Sequence, residues 1–184
     1  MDNEEAEFCE SCQRKPRSYI QGFPAMNYSG PIRDSLARFK YHGMKSYGGF
    51  YAKQIMHRHG NSIKELGIEA LIPVPIHRKK QLKRGYNQAE ILAKELGKIL
   101  DVPVDGDILI RHINTLPQNK LNDVEREINL EKAFISSDKI VKYNSVMLVD
   151  DIYTTGSTVE ACTRALKTKG IKNIYYTSVC VGRR

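Results

Sequence analysis

No long uncharged apolar run occurs in the sequence. A membrane-spanning helix needs about 20 such residues, so no span is expected. A secretory leader is also lacking: the opening MDNEEAEF is acidic, where a leader is basic and then apolar. Cysteine is sparse. Of the four present, Cys162 and Cys180 fall in apolar-patterned segments, and only Cys9 and Cys12 lie close together, which excludes a disulfide framework. These absences give an intracellular, cytoplasmic reading. No internal repeat or low-complexity stretch is evident, and 184 residues suit one domain with at most a small appendage.

What is present is a 41% apolar share, enough for one substantial core, and a formal charge of +8. Positive charge concentrates phosphate-bearing partners, whether nucleotide, sugar phosphate or nucleic acid. An uncommitted basic surface would give the same balance.

The first twenty or so residues are polar, and regular pattern begins near Pro31. Ile32, Leu36 and Phe39 recur at helical spacing, with Pro31 suited to a first turn. Tyr47 to His57 continues as helix. Ala70 to Val74 reads as a short buried strand limited by Pro73 and Pro75. From Gln88 to Leu100, the apolar positions Ala89, Ile91, Leu92, Leu96, Ile99 and Leu100 predict one helix face, ended by Asp101-Val102-Pro103. Arg111 to Glu131 is polar and weakly periodic, so it is expected to be a long surface loop, either a binding loop or disordered.

Val146 to Val149 is a continuous apolar run closed by Asp150-Asp151. Val159, Cys162, Ala165 and Leu166 then mark a helix face up to Gly170, and Ile174 to Val181 reads as a last strand. Strand, loop, helix, strand is the βαβ unit of a parallel sheet covered by helices. The expected class is therefore α/β, a parallel sheet flanked by helices.

Ligands of open parallel sheets bind beyond the carboxyl ends of strands, which is where Asp150 and Asp151 arrive. Thr154, Thr155, Gly156, Ser157 and Thr158 follow at a helix entry. They offer a phosphate monoester free backbone N–H groups, hydroxyl donors, the positive helix end, and a glycine that allows close approach. The two carboxylates can accept hydrogen bonds from vicinal ribose hydroxyls, directly or through a metal-bound water. Each part alone also occurs as a helix cap. Their conjunction in strand and helix context points to a ribose phosphate site.

The run from Val146 to Thr158 resembles the phosphoribosyl pyrophosphate motif of type I phosphoribosyltransferases. Phe39-Lys40-Tyr41-His42-Gly43, Ile72-Pro73-Val74-Pro75-Ile76-His77-Arg78, and Arg84-Gly85-Tyr86-Asn87-Gln88 resemble the ComF branch of that family. So do Thr115-Leu116-Pro117-Gln118, Arg126, Asn129 and Phe134. The resemblance spans Tyr28 to Arg184. It implies that Asp150 and Asp151 face the ribose and hold Mg²⁺ through water, and that Thr154 to Thr158 hold the 5′-phosphate. Val74 and Pro75 would then lie beside the pyrophosphate. It also implies a setting in natural competence, the uptake of single-stranded DNA, with that DNA and uptake proteins as candidate partners.

Arg78, Lys79, Lys80, Lys83 and Arg84 form a basic cluster able to pair with pyrophosphate or a nucleic-acid backbone. A solvated charge run on a loop is the plainer alternative. Arg84, Asn87 and Gln88 are the preferred ligand contacts within this region. Tyr153 either stacks on a base or packs as wall.

Cys9 and Cys12 have the spacing of half a tetrahedral zinc site, which normally takes four ligands. ComF-like proteins often carry two such pairs, so residues 1–20 read as a remnant of a zinc-ribbon-like segment and linker, ahead of a domain over 21–184. A well-formed zinc site is not expected here. His57 and His59, two apart on a helix, point in different directions and suit a solvated face. Cys162 suits the core better than a nucleophile's role.

The expectation is thus a protein binding phosphoribosyl pyrophosphate with Mg²⁺ and acting in DNA uptake. A nucleobase-salvage phosphoribosyltransferase and a non-catalytic single-stranded DNA-binding factor are the alternatives. No catalytic residue, acceptor or nucleobase hood is assigned, and self-association is left open.

Overall fold

A computed structural model describes residues 16–112, 133–137 and 143–182. Cys9, Cys12 and most of the polar stretch after Arg111 lie outside the described residues, as do Thr115 to Gln118, Arg126 and Asn129.

The elements run β1 (Gly22–Asn27), α1 (Gly30–Tyr41), α2 (Tyr47–Glu65), β2 (Ala70–Pro73), α3 (Arg78–Arg84) and α4 (Gln88–Leu100). They continue with β3 (Leu109–Arg111), β4 (Phe134–Ser136), β5 (Ser145–Tyr153), α5 (Ser157–Lys167) and β6 (Asn173–Val181). The main sheet has the order β1-β6-β5-β2, all parallel, with β3 and β4 forming a separate antiparallel pair. This is the α/β architecture expected, with β5-α5-β6 as its parallel crossover unit.

Both faces of the sheet are covered, which is why β5 begins as an uninterrupted apolar run rather than an alternating one. Val146 and Leu148 pack on one side against Val159, Cys162 and Leu166 of α5 and against Phe134. Met147 and Val149 pack on the other side against Leu36 and Phe39 of α1, Tyr51 and Ile55 of α2, and Leu92 and Leu96 of α4.

Several elements depart from the sequence reading. Gly22–Asn27, unassigned from sequence, is an edge strand in which Phe23 and Ala25 alternate inward. Pro24 is tolerated because that strand pairs on one side only. β5 does not close at Asp150 but continues through both aspartates to Tyr153. The basic run is a helix, α3, rather than a loop: His77 accepts from the Lys79 N–H at 3.2 Å, and Gly85 ends it at φ 78°. Ile99, assigned to the buried face of α4, is 44% exposed, since that face is filled by Ala89, Leu92 and Leu96. His59 is not solvated: its ring bonds the Pro24 carbonyl at 2.9 Å and meets Phe23 edge-on.

Candidate ribose phosphate site at the carboxyl edge of the sheet

Side chains alternate across a strand, so consecutive aspartates must part to opposite faces. Asp150 shares the face of Val146 and Leu148, toward α5, where its field reaches Cys162 and Arg111. Asp151 turns to the α1 side, where the Lys40 ammonium lies 3.0 Å from its Oδ1. Both members of that pair are largely enclosed, with side-chain exposures of 18% and 15%. Burial works against the Lys40 charge, but Asp151 outweighs it and raises the lysine's pKa.

Among the described residues no ammonium lies at contact distance from Asp150. Burial first, then the charge of Asp151, pushes its carboxyl up to about 7, against the opposing pull of the Asp151 N–H, Lys40 and Arg111. That N–H donates to Asp150 Oδ1 at 2.8 Å.

Around these carboxylates converge four cations from three elements: Lys40 of α1, Lys80 and Arg84 of α3, and Arg111 of β3. Partial desolvation lowers the pKa of Lys80 although its surface is exposed, and repulsion by Arg111, Arg84 and Lys40 lowers it further. Arg111 is lowered by burial, with Asp150 partly restoring it. Cations crowded in this way repel one another, and a phosphate or pyrophosphate would relieve that field.

The loop after β5 is shaped by its glycine. Gly156 has φ 76°, and a Cβ there would overlap the Tyr153 hydroxyl. The N-cap of α5, Gly156, has no side chain; Thr155 Oγ1 accepts from the Ser157 N–H at 3.5 Å, and the Thr155 and Ser157 hydroxyls bond each other at 3.0 Å. Thr154 is exposed, and Thr155, Ser157 and Thr158 are half-buried. Hydroxyls and the N-terminal amides of an eleven-residue helix are thus presented at the same edge as the aspartates.

Of the two readings of Tyr153, wall packing is the one found. Its ring stacks on Tyr176 with centroids 4.7 Å apart, and its hydroxyl meets that of Tyr19 at 2.7 Å.

Val74 has its N–H on the Val149 carbonyl at 2.9 Å, and its own carbonyl accepts from Asn87 at 3.0 Å. The other end of the Asn87 amide accepts from the Ala89 N–H, capping α4. Gln88, 1% exposed, accepts from Arg84 at 2.9 Å and donates to the Lys40 carbonyl. Asn87 and Gln88 therefore brace the Val74–Pro75 loop, Arg84 and Lys40 rather than presenting free amides. Arg84 also lies over the Tyr41 ring at 4.9 Å.

Sequence reasoning gave neither Lys40 nor Arg111 a role at the site, although Lys40 lies within the Phe39–Gly43 segment of the resemblance. Lys40 lies in the last turn of a helix, where any basic residue is at home, and Arg111 closes a three-residue strand.

The carboxylates suit a hard cation taken through oxygen ligands. Among the described residues no group of three or more His, Cys, Asp or Glu side chains could hold a metal unaided. A divalent ion here would draw its remaining ligands from the phosphorylated molecule and water, the usual habit of Mg²⁺.

A family model of the phosphoribosyl transferase domain matches residues 82–183, which include α3's end, both aspartates and the whole phosphate loop. The chain is 31% identical over 175 residues to "Competence protein F" of Haemophilus influenzae, covering 92% of this chain and 76% of that protein. It is 28% identical over 173 residues to "Competence protein ComFC" of Bacillus subtilis, covering 88% and 65%. To "DNA utilization protein YhgH" of Escherichia coli K12 it is 23% identical over 175 residues, covering 94% and 77%. The chain belongs to the phosphoribosyltransferase-domain family, in its ComF branch.

Proposed function

We propose that this protein binds phosphoribosyl pyrophosphate with Mg²⁺ at the carboxyl edge of its sheet, and that it serves DNA uptake from the cytoplasmic side. The observation that carries the reading is the parting of Asp150 and Asp151 to opposite faces, immediately before a loop whose glycine opens a helix N-terminus. In this reading the aspartates accept from the ribose hydroxyls, and Thr154, Thr155, Gly156, Ser157 and Thr158 enclose the 5′-phosphate. Lys40, Lys80, Arg84 and Arg111 face the pyrophosphate beside Val74 and Pro75. Asp150 and Asp151 would hold Mg²⁺ through water; such an ion supplies charge stabilisation to pyrophosphate oxygens.

The process follows from relatives named for competence and DNA utilization. No helix among the described residues is long and apolar enough to cross a membrane.

Titration calorimetry with phosphoribosyl pyrophosphate and Mg²⁺ tests the site. Asp150→Ala with Asp151→Ala should abolish binding, and undiminished affinity in that double variant sinks the assignment. Pyrophosphate release across a panel of nucleobases would instead identify a salvage transferase.

A nucleic-acid backbone is a second anion for the same cations, favoured by α3, which buries none of its residues and has no acid in its first turn. Salt-dependent single-stranded DNA binding, lost on neutralising Lys79, Lys80, Lys83 and Arg84, would support it. Binding insensitive to salt or to those changes would count against it.

A further inference from the structure

The segment before β1 is tied across the front of the phosphate loop by two consecutive residues. Arg17 Nη2 donates to the Thr155 carbonyl at 2.7 Å. Ser18 gives its N–H and its hydroxyl to the Glu160 carboxylate, at 2.9 and 2.6 Å. Glu160 is 8% exposed and sits in the first turn of α5, where it also accepts from Arg164 at 3.0 Å. Beyond Ser18, Tyr19 sets its hydroxyl against Tyr153, and the Ile20 N–H donates to the Ile174 carbonyl at 2.8 Å. The latch is thus held at four successive residues.

Arg17 matters most because of where its bond falls. The Thr155–Gly156 peptide is trans, as no cis bond occurs among the described residues, so the Thr155 carbonyl and the Gly156 N–H point in opposite directions. Gly156 at φ 76° leaves that peptide plane without the steric restraint a Cβ would impose. Something else has to fix its orientation. A guanidinium holding the carbonyl on one side turns the Gly156 N–H to the other. The guanidinium is seated in the packed part of the fold: its Nε is buried, with no hydrogen-bond partner among the described residues.

We propose that Arg17 is the positioning residue of the phosphate loop: it orients the Thr155–Gly156 peptide so that the Gly156 amide is presented to the 5′-phosphate. The proposal rests on the ribose phosphate reading of that loop. It also gives the segment preceding β1 a part in ligand binding, although that segment lies outside the stretch matched by the phosphoribosyl transferase domain.

The test is calorimetry of the full chain with two separate probes, ribose 5-phosphate and magnesium pyrophosphate. Arg17→Ala should weaken ribose 5-phosphate by about tenfold or more, the worth of one charge-assisted hydrogen bond, while pyrophosphate affinity stays within about twofold. Arg17→Lys, which can still donate to the carbonyl, should restore most of the loss and guards against a misfolded alanine variant. Ribose 5-phosphate affinity that Arg17→Ala leaves intact would overturn the role of Arg17 alone. An equal loss for both probes would also overturn it, as a general loosening rather than loop positioning. Wild-type protein that takes neither probe would overturn the ribose phosphate reading itself, and this proposal with it.

Discussion

Replacing Asp150 with asparagine should make the metal-free protein more stable at pH 8 and, on the proposed function, weaken its binding of a ribose phosphate. Burial and the neighbouring Asp151 push the Asp150 carboxyl from 3.8 to about 7. Over that interval the folded state keeps a proton that the unfolded chain has released. The stability contributed by this group is therefore complete below the unfolded value and lost as pH rises through about 7. At about 1.4 kcal/mol per pKa unit, the ceiling on the loss is about 4 kcal/mol. Relaxation of the site and water entry reduce the expected figure to about 1–3 kcal/mol. Asparagine keeps the Oδ1 that accepts from the Asp151 N–H at 2.8 Å, and it has no charge to bury. At about 2–4 °C per kcal/mol for a chain of this size, Asp150→Asn should raise Tm at pH 8 by about 3–10 °C. The gain should shrink steadily as pH falls toward 4. Thermal unfolding followed by circular dichroism in EDTA, from pH 4.5 to 8.5, measures this directly. A lower Tm at pH 8, or a gain independent of pH, would refute the burial argument for Asp150.

Lys40→Met keeps the apolar stem of the lysine but leaves Asp151 without the cation now 3.0 Å away. Because the pair is not fully sealed, the cost should be about 1–3 kcal/mol in urea unfolding, below that of a wholly buried pair. Pyrophosphate affinity should fall with it, and an unchanged urea midpoint would argue that the pair contributes nothing net. Gly156→Ala should destabilise by about 2 kcal/mol or more, combining left-handed backbone strain with displacement of Tyr153 from Tyr19. It should also abolish ribose 5-phosphate binding in calorimetry. Adding Tyr153→Phe to Gly156→Ala should return part of the stability but not the binding; full recovery of both would show that φ is immaterial here.

The parts of this fold legible in the sequence are those in which one periodicity dominates. β5 and α5 show it: an apolar run, then Val159, Cys162 and Leu166 at helical spacing, because each element has a whole face to bury. β1 was missed because Pro24 and flanking glycine argue against a strand, and only its edge position makes them harmless. The extension of β5 through two aspartates was missed because charge reads as the end of a buried strand. Here each carboxylate leaves the sheet on a different side and has cations near it.

The same distinction separates the legible from the illegible half of the site. Asp150, Asp151 and the loop to Thr158 are contiguous, so their chemistry could be read as a string. Their counter-charges are not contiguous: Lys40 lies in the last turn of α1, Arg111 ends β3, and Arg17 precedes the first strand. Each is an ordinary basic residue in its own element. They gain a role only when the parallel order β1-β6-β5-β2 brings distant segments to one sheet edge. On the proposed reading the aspartates and loop recognise a ribose phosphate, while strength of binding and choice of anion depend on the cations the topology supplies. Substitutions at Lys40, Lys80 or Arg111 should therefore change which anion is held, whereas those at Gly156 or Asp151 should decide whether a ribose phosphate is held at all.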